Sequence, residues 1–249
     1  MLKFLNWFKK NSLSNHSNLV KQKISNLENI LGYRIDNPVY YIKALTHRSY
    51  LEIEPELGKS NERLEYLGDS ALGFIVAEFL FSEFPDEGEG FLTKYRSHFV
   101  DKQALVNSAE YLNLNNTLLY NSKFINDSYD GMRTILADSL EALIGAIYLD
   151  KGFEMTSKFV HKNIIEPIYS SGEFKKDKNY KGQLLELAHS KKQVTPVYQL
   201  VKEEGPEHGK TFTVTVKIEN KTYAKGNGRN KKTAEQQAAK KALQKLIKE

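Results

Sequence analysis

Glu62, Glu65 and Asp69 stand three and four residues apart within Asn61-Glu62-Arg63-Leu64-Glu65-Tyr66-Leu67-Gly68-Asp69-Ser70. On a helix that spacing stacks the three carboxylates along one face, where like charges repel and nothing in local helix energetics rewards them. Their neighbours Leu64, Leu67, Ala71, Leu72, Phe74 and Ile75 are apolar. A carboxylate beside a buried stripe is costly unless something compensates its charge, and a hard divalent cation would do so. Asp138 and Glu141 repeat the theme in a second apolar stretch, Ala137-Asp138-Ser139-Leu140-Glu141-Ala142-Leu143-Ile144-Gly145-Ala146. Two such helices side by side would bring four carboxylates together. All-oxygen donors and the absence of cysteine point to Mg²⁺ or Mn²⁺ over zinc. Either group alone reads as well as a solvated helix edge. Both together, with small residues at Gly68, Ala71, Gly145 and Ala146 permitting close approach, favour a metal site.

The elements that must position these acids follow from periodicity. From Leu19 to about Tyr169 apolar residues recur three and four apart, most clearly over Arg63–Phe84, Leu92–Leu112, Arg133–Leu149 and Phe153–Tyr169. Turn chemistry interrupts the pattern at Asn37-Pro38, at Phe84–Gly88 and at Lys151-Gly152. No stretch alternates as a strand does, so residues 19–170 read as an all-α domain, and the short, polar, charged run 171–178 as a linker. Beyond it Asn179–Ser190 predicts a helix. Thr211–Ile218 alternates strictly, Phe212, Val214, Val216 and Ile218 facing one way and Thr211, Thr213, Thr215 and Lys217 the other. Val197–Val201 and Lys221–Lys225 flank it at hairpin distances, with a turn at Glu219-Asn220. Lys231–Lys248 closes as a helix with Ala234, Ala238, Ala242, Leu243 and Leu246 on its buried stripe. Residues 179–249 thus read as a small α+β domain of order α-β-β-β-α. Residues 1–18 read as a tail, since Phe4, Trp7 and Phe8 lie among Lys and Asn without a secretory pattern.

The formal charge of +5 hides an uneven distribution. From Lys175 onward there are 18 Lys and Arg against 8 Asp and Glu, a net of +10; the preceding 174 residues hold 18 against 23, a net of −5. A basic module on a mildly acidic one suggests electrostatic attraction to a polyanion. No run approaches the ~20 apolar residues a membrane-spanning helix needs, so no membrane partner is expected. The lack of cysteine excludes disulfides and thiolate metal sites and suits a reducing cytoplasm.

Asn61–Leu72 (NERLEYLGDSAL) resembles the defining motif of the ribonuclease III family almost residue for residue. Thr46-His47-Arg48-Ser49-Tyr50, Glu87–Val100 and Asp138–Gly152 resemble the family's other blocks in the expected order. By that resemblance Glu65, Asp69, Asp138 and Glu141 are the metal-binding acids, Asp69 and Glu141 the positions usually called catalytic, and Glu62 and Glu89 supporting acids along the RNA valley. The activity implied is Mg²⁺-dependent hydrolysis of double-stranded RNA, Mn²⁺ substituting, with 5′-phosphates and short 3′ overhangs as products and no small-molecule cofactor. A homodimer is implied as well, with Tyr66 entering a pocket on the partner. Ribosomal-precursor and messenger processing are the roles the bacterial family suggests. His47 reads as a packing or capping residue.

The C-terminal order is similar to that of double-stranded-RNA-binding domains, which read A-form shape more than sequence. Lys231 and Lys232 in the first turn of the last helix oppose its dipole, an arrangement a bound phosphate would reward. The resemblance adds His208 in a loop aimed at one minor groove and Gln183 and Glu186 on the first helix aimed at another. It also shows two departures, Leu185 where Gln is common and Asn230 where Ser is usual. Asn230 remains a competent N-cap. The rival class is a catalytically silent relative that binds structured RNA. Such a relative should have lost one of the four metal-site acids, and none is lost.

Overall fold

The computed structural model describes residues 17–123, 129–172, 174, 179–206, 209–219 and 221–246. Phe4, Trp7 and Phe8 of the tail, most of the expected linker, Asn220 and His208 lie outside them. The chain divides into two compact units, Met1–Lys175 and Lys176–Glu249.

The first unit is helical. Its described helices are α1 (Asn18–Leu31), α2 (Pro38–Leu45), α3 (Glu62–Glu83), α4 (Glu89–Val100), α5 (Lys102–Tyr111), α6 (Tyr129–Val160) and α7 (Glu166–Ser171). An isolated parallel bridge, Thr46 to Leu119, is the one β feature among its described residues. α1 starts where Ser17 Oγ accepts from Val20 N–H (3.4 Å) and stops at Gly32 in the left-handed region (φ 74°). α2 starts at Asn37, whose Oδ1 accepts from Val39 N–H, with Pro38 in the first turn, where its missing donor is harmless. The expected helix Leu92–Leu112 is two helices. Asp101 adopts an extended conformation (φ −71°, ψ 153°), and its Oδ1 accepts from Ala104 N–H at 2.8 Å, capping α5. The expected break at Lys151-Gly152 is present inside α6, at Gly152 (φ 78°, ψ −178°).

The two longest described helices, α3 and α6, cross at the centre of the core. A Cβ on Gly68 would stand 1.7 Å from the Glu141 carbonyl oxygen, and one on Gly145 would stand 2.4 Å from that of Leu64. The helices therefore meet backbone to backbone, and only glycine fits. Leu72, Ile75, Leu140, Leu143 and Ile144 close the core around the crossing with no exposure. Phe174, placed in the linker by its polar neighbours, is instead 2 % exposed. It packs against Phe84, Tyr95, Phe99 and Tyr169 with ring centroids 5.3–6.3 Å apart, so the first unit extends at least to this residue.

The second unit is α8 (Tyr180–Ser190), an antiparallel sheet of β1 (Val197–Glu204), β2 (Thr211–Ile218) and β3 (Lys221–Gly228) in that order, and α9 (Lys231–Leu246). Val214, Val216 and Ile218 are buried with Leu184, Ala188, Ala238, Ala242 and Leu246. Thr215 departs from strict alternation: it is 5 % exposed, and its Oγ1 donates to Gln199 O at 3.4 Å. β1 and β3 run three residues past their expected ends. In β3 the added residues are Gly226-Asn227-Gly228, a loop-like composition that nonetheless pairs with Val214, Thr213 and Phe212. The reason is α9: a Cβ on Gly226 would lie 2.2 Å from Ala238 N, and one on Gly228 2.5 Å from Ala234 N. No helix among the described residues is long and apolar enough to cross a membrane.

Candidate metal centre and nucleic-acid interface

The α3/α6 crossing gathers the acids. Gly68 lies between Glu65 and Asp69 on α3, and its contact is the backbone of Glu141 itself. Two turns before Gly68, Asn61 Nδ2 donates to Ser139 Oγ (3.5 Å), both residues buried, which ties the start of α3 to α6 beside Asp138. As a result Glu65, Asp138 and Glu141 can each offer a carboxylate oxygen within 4.8 Å of the other two. Asp69 is not in that set. Its charge nonetheless acts on both Glu141 and Glu65.

Electrostatics record the cost of this convergence. Glu141 is pushed up to about 8, first by burial and then by the charges of Asp69, Glu65 and Asp138. Burial, then Asp138, Glu62 and Asp69, raises Glu65 above the usual carboxylate range. Asp138 is raised by burial, opposed by the ammonium of Lys102 and by its own backbone amide. Half-buried carboxylates that resist losing their protons, with only oxygen donors between them, fit a hard divalent ion. Ionising together is costly for them alone and favourable around such a charge.

The other expected site residues fall into place around this centre or away from it. Glu62 is exposed in the first turn of α3, close enough to act on Glu65. Glu89 opens α4, exposed, with its Oε1 accepting from Thr93 Oγ1 at 3.0 Å; it is not in the converging set. Tyr66, four residues after Glu62 on α3, is 78 % exposed. His47 Nδ1 accepts from Ser49 N–H at 3.3 Å and caps the 3-10 turn Arg48–Glu52. Lys102 belongs to no motif in the sequence. Its only marker there is a cation in the first turn of a helix, the same anomaly that singles out Lys231 and Lys232.

In the second unit Asn230 Oδ1 accepts from Thr233 N–H (2.8 Å) and Thr233 Oγ1 (2.6 Å), the N-cap its residue type predicts. That cap leaves Lys231 and Lys232 exposed at the helix start. On α8 Gln183 is half-buried and Glu186 exposed, with Leu185 half-buried between them.

Comparison with known proteins identifies relatives of both units. Residues 37–168 match the family model described as Ribonuclease-III-like, and residues 180–246 match the double-stranded RNA binding motif. A protein of Syntrophobacter fumaroxidans named Ribonuclease 3 is 43 % identical over 227 residues, spanning 88 % of this chain and 92 % of its own. One of the same name from Carboxydothermus hydrogenoformans is 39 % identical over 227 residues, 91 % and 97 % of the two chains. Among solved structures, the nuclease domain of ribonuclease III from Campylobacter jejuni matches with a TM-score of 0.50 and 37 % identity, covering 56 % of this chain and 97 % of that one. A helical unit with paired acidic helices, followed by a double-stranded-RNA-binding motif and matched along most of its length by such relatives, makes this chain a member of the ribonuclease III family.

Proposed function

We propose that the chain is a divalent-metal-dependent endoribonuclease that hydrolyses phosphodiester bonds in double-stranded RNA, leaving 5′-phosphates and short 3′ overhangs. The observation that carries this reading is the convergence of Glu65, Asp138 and Glu141 across the glycine crossing, in a chain that also bears an RNA-binding motif. Glu65, Asp69, Asp138 and Glu141 hold Mg²⁺, or Mn²⁺ in its place. The bound ion supplies Lewis-acid polarisation of the phosphodiester and a water acidic enough to act as nucleophile. Asp69 and Glu141 are the catalytic acids; Glu141, which retains its proton near neutral pH, would release it on holding the ion. Glu62 and Glu89 bound the valley through which the duplex runs. Lys231 and Lys232 hold phosphates at the start of α9, while Gln183, Glu186 and the loop of His208 face minor grooves. Asn230 serves through its cap, since its carbonyl oxygen is already bonded twice by Thr233.

The protein works as a homodimer. Support comes from an apolar stripe on α3, where Tyr66, Phe74 and Phe81 are 78, 60 and 72 % exposed, more than a monomer of this size would leave to water. The Campylobacter jejuni nuclease domain is itself described as having a region involved in dimer formation. Precursors of ribosomal RNA and structured messengers are the substrates we assign, in the cytoplasm. Purified protein incubated with a long RNA duplex tests the reading: cleavage should require Mg²⁺ or Mn²⁺ and disappear in Glu141→Gln. Metal-independent cleavage, or normal cleavage by that variant, would refute it.

A further inference from the structure

Lys102 is the first residue of α5, where a cation faces the positive end of the helix dipole. Its neighbours three and four residues away, His98, Phe99, Leu105 and Val106, include no acid that would reward it. What fixes the side chain is α6. Lys102 Nζ donates to Thr134 Oγ1, and the adjacent Gln103 Oε1 accepts from Arg133 Nη2. Two successive residues of α5 are thus pinned to two successive residues of α6. Thr134 precedes Asp138 by one helical turn and shares its face. Among the described residues, Lys102 is the one positive charge acting on Glu65, Asp138 or Glu141.

We propose that Lys102 is a phosphate-binding residue of the active site, its ammonium donating to a non-bridging oxygen of the RNA phosphodiester beside the carboxylate-held ion. This role presupposes the nuclease reading above. The ammonium is bonded to a neutral hydroxyl and not to a carboxylate, so it is held in position without being neutralised. An ammonium has three donors and Thr134 takes one. The side chain is exposed, so a duplex can reach it. Charge balance supplies the need: a divalent ion offsets only part of the charge of the clustered acids, and the incoming phosphodiester adds another negative charge. A fixed cation beside the reacting group stabilises the transition state without reorganising.

Lys102→Gln and Lys102→Arg in the full-length protein test this. In Lys102→Gln the single-turnover cleavage rate of an RNA duplex, at saturating protein and Mg²⁺, should fall about 10- to 100-fold. Mg²⁺ titrated alone into the RNA-free variant should bind at least as tightly as in wild type, because a repelling charge has gone. Lys102→Arg, which keeps the charge, should recover most of the rate. A role confined to bracing α5 against α6 would instead weaken Mg²⁺ binding and thermal stability together with cleavage. That joint loss, or a Lys102→Gln rate within twofold of wild type, overturns the proposal. A wild-type protein that cuts nothing in Mg²⁺ overturns the nuclease reading first, and the role of Lys102 with it.

Discussion

In the first unit α3 and α6 meet at Gly68 and Gly145; in the second, α9 meets β3 at Gly226 and Gly228. Both contacts use glycine to bring backbones closer than any side chain would allow. They differ in the charge they arrange. The α3/α6 crossing draws carboxylates together in a half-buried place, where burial and mutual repulsion hold protons on them. At the β3/α9 contact the helix is seated so that Lys231 and Lys232 stand at its exposed start, in water. Under the proposed function, the first arrangement stores electrostatic cost that a cation would relieve; the second stores little and would gain from phosphate by releasing counterions. On that reading chemistry would depend on an electrostatically costly interior, and affinity on a relaxed surface.

The comparison breaks most completely at Gly68. Gly68→Ala places a methyl group against the Glu141 carbonyl, so the helices must separate and the acids with them. Cleavage should be abolished and Tm lowered by about 5–10 °C. Gly90→Ala, where a Cβ meets nothing within 4 Å, should change neither by a measurable amount. Thermal melts with cleavage assays on both variants decide this, and an active Gly68→Ala protein would show that the crossing does not set the site.

Glu141→Gln comes next. Its folded-state pKa of about 8 lies above the ordinary 4.5, so between those values the native state holds a proton that the unfolded chain has released. Stability from this group therefore falls as pH rises from about 4.5 to about 8. In the absence of metal Glu141→Gln should melt above wild type, with a larger gap at pH 8 than at pH 5. Mg²⁺ should narrow that gap by stabilising wild type alone. A variant that melts below wild type at pH 8 without metal contradicts the stored-cost account.

A fragment boundary sharpens the comparison further. Phe174 fills an aromatic pocket of the nuclease unit, so a fragment ending at residue 170 should be less stable than one ending at 175 by about 2–4 kcal/mol. Denaturant melts of the two check this. Both should cleave duplexes only at high protein concentration or low salt, having lost the RNA-binding unit. The smallest effect belongs to the surface. Lys231→Ala with Lys232→Ala should leave Tm within about 1 °C and lessen the salt slope of duplex binding by about 2. An unchanged slope in filter-binding titrations would remove these lysines from the phosphate contacts.

Much of this was legible in the residues. The three-and-four spacing of Glu62, Glu65 and Asp69 and its echo at Asp138 and Glu141 are local patterns, and a helix converts spacing directly into a shared face. Gly68 and Gly145 carried their close approach in their type. Asn230 carried its cap. What escaped notice depended on distant partners. Asp101 sits in an unbroken apolar rhythm, and its capping role was available from residue type but masked by periodicity. Phe174 is one aromatic in a charged run, and only the four rings assembled from α3, α4 and α7 make it a core residue. Gly226-Asn227-Gly228 reads as loop because the helix that requires its glycines comes later in the chain. That Asp69 influences Glu65 and Glu141 without joining the converging trio is a matter of distance, which spacing along one helix cannot give.

Gly68 also bears on heredity. Every missense change in a glycine codon adds at least one carbon atom beyond Cα, and here that carbon meets a peptide carbonyl at 1.7 Å. The codon therefore has synonymous neighbours and no conservative ones. A library of all substitutions selected for activity should return a single amino acid at position 68, whereas the exposed positions 62 and 89 should return several.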